Sequence, residues 1–142
     1  MIFRSQKGFT MIELLVVMAV IGILSSIAYA GFGNVQQRAR DGRRRSDMQT
    51  IQRGFEQYFT LGNTYAACST MFNNTSIFPQ GVPLDPINTG TTVYSAGPSC
   101  TASPSVGYCY CSLLERANTG NSGANCAYSS ATKNYFCVSQ LQ

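Results

Sequence analysis

The sequence predicts an α+β fold in which one long N-terminal helix packs against a small antiparallel β-sheet in a disulfide-rich C-terminal part. Three observations predict it: an apolar run from Phe9 to Ala30, an amphipathic stripe after it, and six cysteines that all follow residue 60. With 142 residues, the chain has room for one domain plus an N-terminal segment. A sheet packed on one face of a helix lets both elements bury their apolar side chains.

The apolar run carries a single charge, Glu13, and extends over 22 residues. That length is enough to cross a bilayer as a helix at ~1.5 Å per residue. A carboxylate inside such a segment costs roughly 2–3 kcal/mol or more, so it usually has a partner and a purpose. Because the run is apolar on all sides, it belongs in lipid or among other apolar helices.

A polar stretch at residues 34–47 follows, and apolar residues then recur at three- and four-residue spacing. This spacing predicts that the helix continues to about Phe59 with one face packed on a globular part. The stripe consists of Met48, Ile51, Phe55, Tyr58 and Phe59.

The C-terminal part reads as loops and short strands. Residues 61–107 are rich in Gly, Pro, Ser, Thr and Asn, which is typical of turns. Residues 106–114 show the alternation of a strand, and residues 135–141 predict a final strand. A core built from so few aliphatic residues would depend on disulfides for much of its stability.

The cysteines predict up to three disulfides in an oxidising compartment, because their number is even and they are confined to one part of the chain. A zinc site is the competing interpretation, but the chain has no Cys-x-x-Cys and no histidine. Cys109 and Cys111 lie two apart on a predicted strand and therefore point to one face, so they are not expected to bond each other. The disulfide candidates are Cys68, Cys100, Cys109, Cys111, Cys126 and Cys137.

The N-terminus carries a recognisable signature, Lys7-Gly8-Phe9-Thr10-Met11-Ile12-Glu13 after a short basic leader. It resembles the prepilin signature of type IV pilins and type II secretion pseudopilins. The resemblance implies that a membrane peptidase cuts between Gly8 and Phe9 and methylates the new N-terminal residue. It also implies that Glu13 pairs with the Phe9 amine of a neighbouring subunit during assembly.

The resemblance also orders the chain. It implies a prepilin leader at 1–8, a transmembrane and assembly helix at 9–33, the amphipathic second half of a stem helix at 34–60, and a cysteine-rich head domain at 61–142. Pro83-Leu84-Asp85-Pro86 resembles the Pro-x-Asp-Pro segment that leads into the first strand in this family, although a rigid loop explains it equally well. The family's habit of closing a short C-terminal loop implies a Cys126–Cys137 bond.

One departure from the family concerns the middle of the helix, where a proline often stands at the position of Ala30. Here Gly31 and Gly33 occupy that region, and glycine costs about 1 kcal/mol in a helix interior. We expect residues 28–34 to be the flexible or locally melted part of the stem inside a filament.

Two other interpretations of the N-terminus remain open. An ordinary secretory signal would end at Ala28-Tyr29-Ala30, and a plain membrane anchor would merely tolerate Glu13. The positive-inside rule conflicts with the family topology, because five arginines at residues 38–45 follow the span and only Arg4 and Lys7 precede it. The position of the cysteines and the resemblance favour a cytoplasmic leader and a head outside.

No catalytic constellation is visible, so we expect no enzyme, no cofactor and no metal site. The chain has no histidine, and Asp85 and Glu115 are the acids after residue 60. A calcium loop needs several oxygen ligands with carboxylates among them, and Asp85 alone does not supply these. The arginines at 38–45 could bind DNA phosphates. Ion pairs of Asp41 with Arg45, and of Asp47 with Arg43 and Arg44, are the favoured interpretation.

The expected function is therefore a structural subunit of a type IV pilus-like surface filament serving adhesion, motility or DNA uptake. Expected partners are other copies of the chain, a prepilin peptidase, an inner-membrane assembly platform and the membrane itself before assembly. Residues 60–142 are neutral, so charge gives no support for DNA binding by the head domain. A periplasmic type II secretion pseudopilin and a secreted cysteine-rich binding module are the alternatives.

Overall fold

The computed structural model describes residues 8–97, residue 100 and residues 107–141. Residues 1–7 of the predicted leader at 1–8, and the predicted start of a strand at Val106, lie outside the described residues. The elements are helix α1 (Met11–Gly62), helix α2 (Cys68–Phe72), strand β1 (Ser95–Ala96), strand β2 (Cys109–Leu113), a short 3-10 helix (Ala124–Cys126) and strand β3 (Tyr135–Ser139). A long helix with a small antiparallel sheet and disulfides confirms the predicted α+β class.

The chain divides into two compact units between Gln36 and Gln37. We call residues up to Gln36 the stem unit and Gln37–Gln142 the head unit. In the stem unit, the 19-residue segment Met11–Tyr29 is long and apolar enough to cross a membrane. Its large apolar side chains are exposed in the single chain, as expected of a segment whose partners are lipid or other helices.

The helix backbone runs without a break through Gly31 and Gly33 in the single chain. The predicted melting of residues 28–34 concerns an assembled filament, and it stays a prediction.

The core of the head unit lies between the second half of α1 and the sheet. Met48, Ile51 and Phe55 have no exposed surface, and Tyr58 and Phe59 pack at the margin of the same cluster. The Phe55 ring stacks on Tyr108, which directly precedes β2, with 4.2 Å between ring centroids. The amphipathic stripe is thus confirmed as the face on which the head folds.

The three strands form one antiparallel sheet in the order β1-β2-β3. The outer edge of β3 is closed by the side chain of Asn121, which donates to the Cys137 carbonyl and accepts from the Cys137 N–H, both at 2.8 Å. Ser122 adds a backbone bridge to Tyr135. A loop that satisfies an edge strand in this way blocks pairing with another chain's strand.

Helix α2 interrupts the region that the sequence predicted as turns and loops. It is five residues long, and a segment this short shows too little periodicity to be recognised. It buries Met71 completely, and Cys68 at its start is bonded to Cys100.

All six cysteines are paired, as Cys68–Cys100, Cys109–Cys126 and Cys111–Cys137. The expected Cys126–Cys137 bond is wrong. The sheet register places Cys111 directly opposite Cys137, with 4.1 Å between their Cα atoms, so these two sulfurs meet across the strands. Cys109 and Cys111 bond to separate partners, as the spacing predicted.

Removing the Cys68–Cys100 bond by replacing both residues with alanine should lower the free energy of unfolding by about 2–4 kcal/mol. The bond spans 32 residues of sequence and ties α2 to the segment beyond β1, so its loss frees a long loop in the unfolded chain. Denaturant unfolding of the two proteins measures the difference.

Peptide mapping without reductant should return the same three pairs in the wild type, and recovery of a Cys126–Cys137 peptide would contradict this connectivity.

Gly54 lets the Phe78 ring lie directly against α1. A Cβ at this position would lie 2.9 Å from Cε1 of Phe78 and 3.1 Å from Cγ2 of Ile77. Gly54→Ala should therefore cost about 1–3 kcal/mol of unfolding free energy through overpacking. Gly42→Ala is the matched control, because a Cβ there meets nothing within 4 Å and alanine should stabilise the helix by up to about 1 kcal/mol. Thermal unfolding of both variants decides, and equal shifts would refute the contact argument.

Candidate functional site: the arginine cluster and the assembly segment

The arginine cluster of α1 forms the ion-pair centre of the head unit. The Arg44 side chain has no exposed surface and lies against three carboxylates. It donates to both oxygens of Asp85 at 2.7 and 3.0 Å, to Asp41 at 2.9 Å and to Glu115 at 2.8 Å. Helix α1, the Pro-Leu-Asp-Pro loop and the segment after β2 therefore meet at one guanidinium.

The carboxylates of this cluster also bind backbone. Asp41 accepts from the N–H groups of Glu115 and Arg116, while Asp85 accepts from Ile87 N–H at 2.9 Å. Arg40 adds a two-pronged pair with Glu115, with both N···O distances 2.6 Å. Charged groups buried this deeply are tolerated because nearly every oxygen has a donor.

The cluster corrects two predicted ion pairs, Asp41 with Arg45 and Asp47 with Arg44. Asp41 pairs with Arg44, three residues on, and not with Arg45. Arg45 instead donates to the Thr119 carbonyl at 2.6 Å and lies over the Phe136 ring. The predicted approach of Asp47 to Arg43 is present at 3.9 Å. Arg44 does not pair with Asp47; besides Asp41 on its own helix, it contacts Asp85 and Glu115 from distant segments.

The electrostatics follow from these contacts. Hydrogen bonds from Arg40, and then from Arg44, lower the pKa of Glu115 to about 2 against the opposing effect of burial. Burial alone would raise the pKa of Asp85, but hydrogen bonds from Arg44 and from backbone N–H groups outweigh it, so its pKa is lowered. The hydrogen bonds to Asp85 are the largest influence that raises the pKa of Arg44. All these groups are charged at neutral pH.

Acid should destabilise the head unit through Glu115. Its pKa is lower in the folded state than the ordinary 4.5, so its contribution is fully present above about pH 4.5 and is lost as the pH falls toward 2. Denaturant unfolding at a series of pH values should show this decline. Glu115→Gln should be less stable at pH 7 and should show a shallower decline; an unchanged slope would contradict the assignment.

The assembly segment is built at the start of α1. Thr10 precedes the helix and Glu13 lies in its first turn. The Thr10 N–H and hydroxyl both donate to Glu13 Oε2, at 2.8 and 2.7 Å, and Glu13 N–H donates to Thr10 Oγ1 at 3.3 Å. This reciprocal arrangement is a capping box, which satisfies donors that the helix start leaves open.

The capping box gives Glu13 a role within its own chain. Phe9, just before it, is 88% exposed, and Gly8 is exposed as well. The predicted cleavage position and the predicted assembly carboxylate therefore lie within a few residues at one helix end. The spacing Thr-x-x-Glu is the sequence signal of a capping box, and here it lies inside the prepilin signature.

A model of the prokaryotic N-terminal methylation motif matches residues 3–29 of the chain. The chain is also 32% identical over 61 residues to the type IV major pilin protein PilA of Myxococcus xanthus, which covers 43% of this chain and 28% of that protein. The chain is thus similar to type IV pilins and carries their N-terminal methylation motif. The motif match covers the pilin signature that the sequence predicted.

Two further relatives are also named as fimbrial or pilus proteins. A fimbrial protein of Pseudomonas aeruginosa is 33% identical over 67 residues, 47% of this chain and 44% of that protein. The type IV wide pilus major component PilA4 of Thermus thermophilus is 29% identical over 93 residues, 66% of this chain and 67% of that protein. The chain spans less than half the length of the first two curated relatives. No solved structure matched.

The head unit also brings three sulfurs close together. Those of Cys109, Cys111 and Cys126 lie within 4.8 Å of one another, because the bonds Cys109–Cys126 and Cys111–Cys137 lie side by side. Metal binding requires thiolates, and sulfurs held in disulfides are not thiolates. Asp85, the candidate calcium ligand, accepts hydrogen bonds from Arg44 at both of its carboxylate oxygens.

Proposed function

We propose that this chain is a pilin, a structural subunit of a type IV pilus-like surface filament. The observation that carries the proposal is the stem unit: an apolar helix, exposed in the single chain, that begins at Met11 shortly after the Gly8–Phe9 junction and has Glu13 in its first turn. Such a surface needs either lipid or copies of itself, and a filament core offers the second. The names of the relatives from Myxococcus and Thermus, a major pilin and a major pilus component, support the same assignment.

The proposal includes a defined sequence of steps. A prepilin peptidase cleaves between Gly8 and Phe9 and methylates Phe9. The mature chain stays anchored in the plasma membrane by its stem, with the head outside, until an assembly platform transfers it into a filament. Glu13 then pairs with the Phe9 amine of a neighbouring subunit. No enzymatic activity is proposed, because the carboxylates of the head serve in internal ion pairs and hydrogen bonds.

A pseudopilin of a type II secretion system is the second candidate. The observation that favours it is the Pro83-Leu84-Asp85-Pro86 segment, whose aspartate is fixed to Arg44 in the head. The same subunit design would then build a short periplasmic fibre instead of a surface filament. A secreted cysteine-rich module requires cleavage after Ala30, which would discard the assembly segment.

The first test is immunogold electron microscopy of intact source cells with antibody to residues 60–142. Label along extended surface fibres is the expected result, and label seen only after the envelope is opened would favour the pseudopilin. Mass spectrometry of the purified mature chain completes the test. A methylated Phe9 at the N-terminus is expected, whereas an N-terminus at Gly31 would overturn the filament proposal in favour of a secreted module.

A further inference from the structure

The head unit uses its carboxylates internally. Residues 37–142 contain eight basic and five acidic residues, a net charge of +3. Asp41 and Asp85 are buried, and Glu115 is held by two arginines. The remaining acids are held by tyrosines: Asp47 accepts from Tyr94, and Glu56 accepts from Tyr65 and Tyr108. The outward charge of the described head is therefore predominantly positive.

The excess charge is concentrated at one end of the head unit. We call this the basic end; it consists of the α1 segment 38–45 together with the loops at residues 115–120 and 133–134. Three hydrogen bonds hold these segments together. The backbone N–H of Arg116 donates to Asp41 at 3.2 Å, the Arg45 side chain donates to the Thr119 carbonyl, and the backbone N–H of Lys133 donates to the Asn118 side chain at 3.2 Å. Arg38 lies seven residues before Arg45, on the same face of α1.

The basic end holds seven of the eight basic residues of the head unit, against the two acids Asp41 and Glu115: Arg38, Arg40, Arg43, Arg44, Arg45, Arg116 and Lys133. Asp85 and Asp47, from outside these segments, pair with Arg44 and Arg43, so seven basic residues face four acids, an excess of three. The rest of the unit is neutral, with Arg53 against Glu56. Arg38, Arg116 and Lys133 are exposed, so they can meet a ligand outside the molecule.

The position of the basic end along the chain points to its partner. Residues 30–37 alone separate the apolar segment Met11–Tyr29 from Arg38. Even if fully extended, these eight residues would separate Arg38 from the apolar segment by no more than about 30 Å. We propose that the basic end binds the anionic phospholipid headgroups of the membrane in which the stem is anchored before assembly. Each basic residue near an anionic surface strengthens such binding by roughly fivefold, and the attraction weakens within about 10 Å in moderate salt.

This inference rests on the proposed membrane-anchored precursor and adds a ligand to it. Nucleic acid offers the same phosphate groups. The basic end, however, closely follows the apolar span in the chain, so the nearest phosphates before assembly are those of the membrane. Binding there would hold the head against the bilayer until the subunit is extracted. It also accounts for the five arginines after the span, since three of them, Arg40, Arg43 and Arg44, pair with carboxylates once the head folds.

Lys133 provides the probe, because it is the only lysine besides Lys7 of the leader. The full chain is placed in nanodiscs of phosphatidylcholine alone or mixed with phosphatidylglycerol. The rate of Lys133 acylation by a water-soluble succinimidyl ester is then followed by mass spectrometry. Phosphatidylglycerol should slow the reaction by about fivefold or more at low salt, and high salt should restore the rate.

Matched variants separate the basic end from general charge. Arg38→Gln with Arg116→Gln should abolish most of the protection, whereas Arg53→Gln, an exposed arginine outside the basic end, should leave it intact. Equal rates in the two kinds of disc would overturn the proposal. Protection of Lys133 by a DNA oligonucleotide but not by phosphatidylglycerol would overturn it in favour of nucleic acid. Failure of the chain to elute with the discs would remove the membrane anchor as well, so the two failures are distinguishable.

Discussion

Replacing Arg44 by methionine is expected to lower the free energy of unfolding of the head by about 3–5 kcal/mol. Methionine fills a similar volume but has no donors and no charge. Three carboxylates that now surround a fully buried guanidinium would be left with like charges close together and reduced compensation. The loss arises less from the missing attraction than from the uncompensated charge that remains.

Arg43→Met is the matched control, because it removes the same residue type from the neighbouring position of α1. The Arg43 side chain is 68% exposed and lies 3.9 Å from Asp47, so its loss should change stability by at most about 0.5–1 kcal/mol. Urea unfolding at neutral pH, followed by circular dichroism with the disulfides intact, measures both variants. Similar effects of the two substitutions would show that the buried cluster does not hold the head together.

Much of the helix could be read from the sequence, and the cluster could not. The spacing of Met48, Ile51 and Phe55 predicted the buried face because helix periodicity is a local property. Arg44 and Asp85 are 41 residues apart, and nothing local marks them as partners. A run of arginines in a polar stretch is ordinarily a solvated face. Arg44 alone of the run is fully buried, because the Pro83–Pro86 loop and the segment after β2 supply Asp85 and Glu115 to it.

The disulfide connectivity shows the same limit. Strand alternation correctly separated Cys109 from Cys111, since side chains two apart share a face. The choice of partner depends on sheet register, and the register places Cys111 opposite Cys137. The family habit of a short C-terminal loop could not supply that register. Thr10 illustrates the opposite case. The spacing Thr-x-x-Glu is a local signal, and it is sufficient to predict the capping box.

Glu13→Gln is expected to leave processing at Gly8–Phe9 intact and to reduce filament yield by at least about tenfold. Glutamine at this position keeps an oxygen that can accept from Thr10, as it does in other capping boxes, so the start of α1 is preserved. What disappears is the negative charge. Removing one partner of a buried ion pair costs about 3–5 kcal/mol, and about 1.4 kcal/mol already corresponds to a tenfold weaker association.

Thr10→Val separates the local role of Glu13 from its proposed role between subunits. Valine removes the hydroxyl of the capping box, which should weaken the helix start by about 0.5–2 kcal/mol, but it leaves the carboxylate available to a neighbouring amine. Sheared filaments quantified by immunoblot, with N-terminal mass spectrometry of the unassembled pool, compare the variants. If Thr10→Val assembles and Glu13→Gln does not, the charge is what a neighbouring subunit requires. If both fail equally, the capping box itself is the requirement, and normal yield from Glu13→Gln would remove the ion pair from the assembly mechanism.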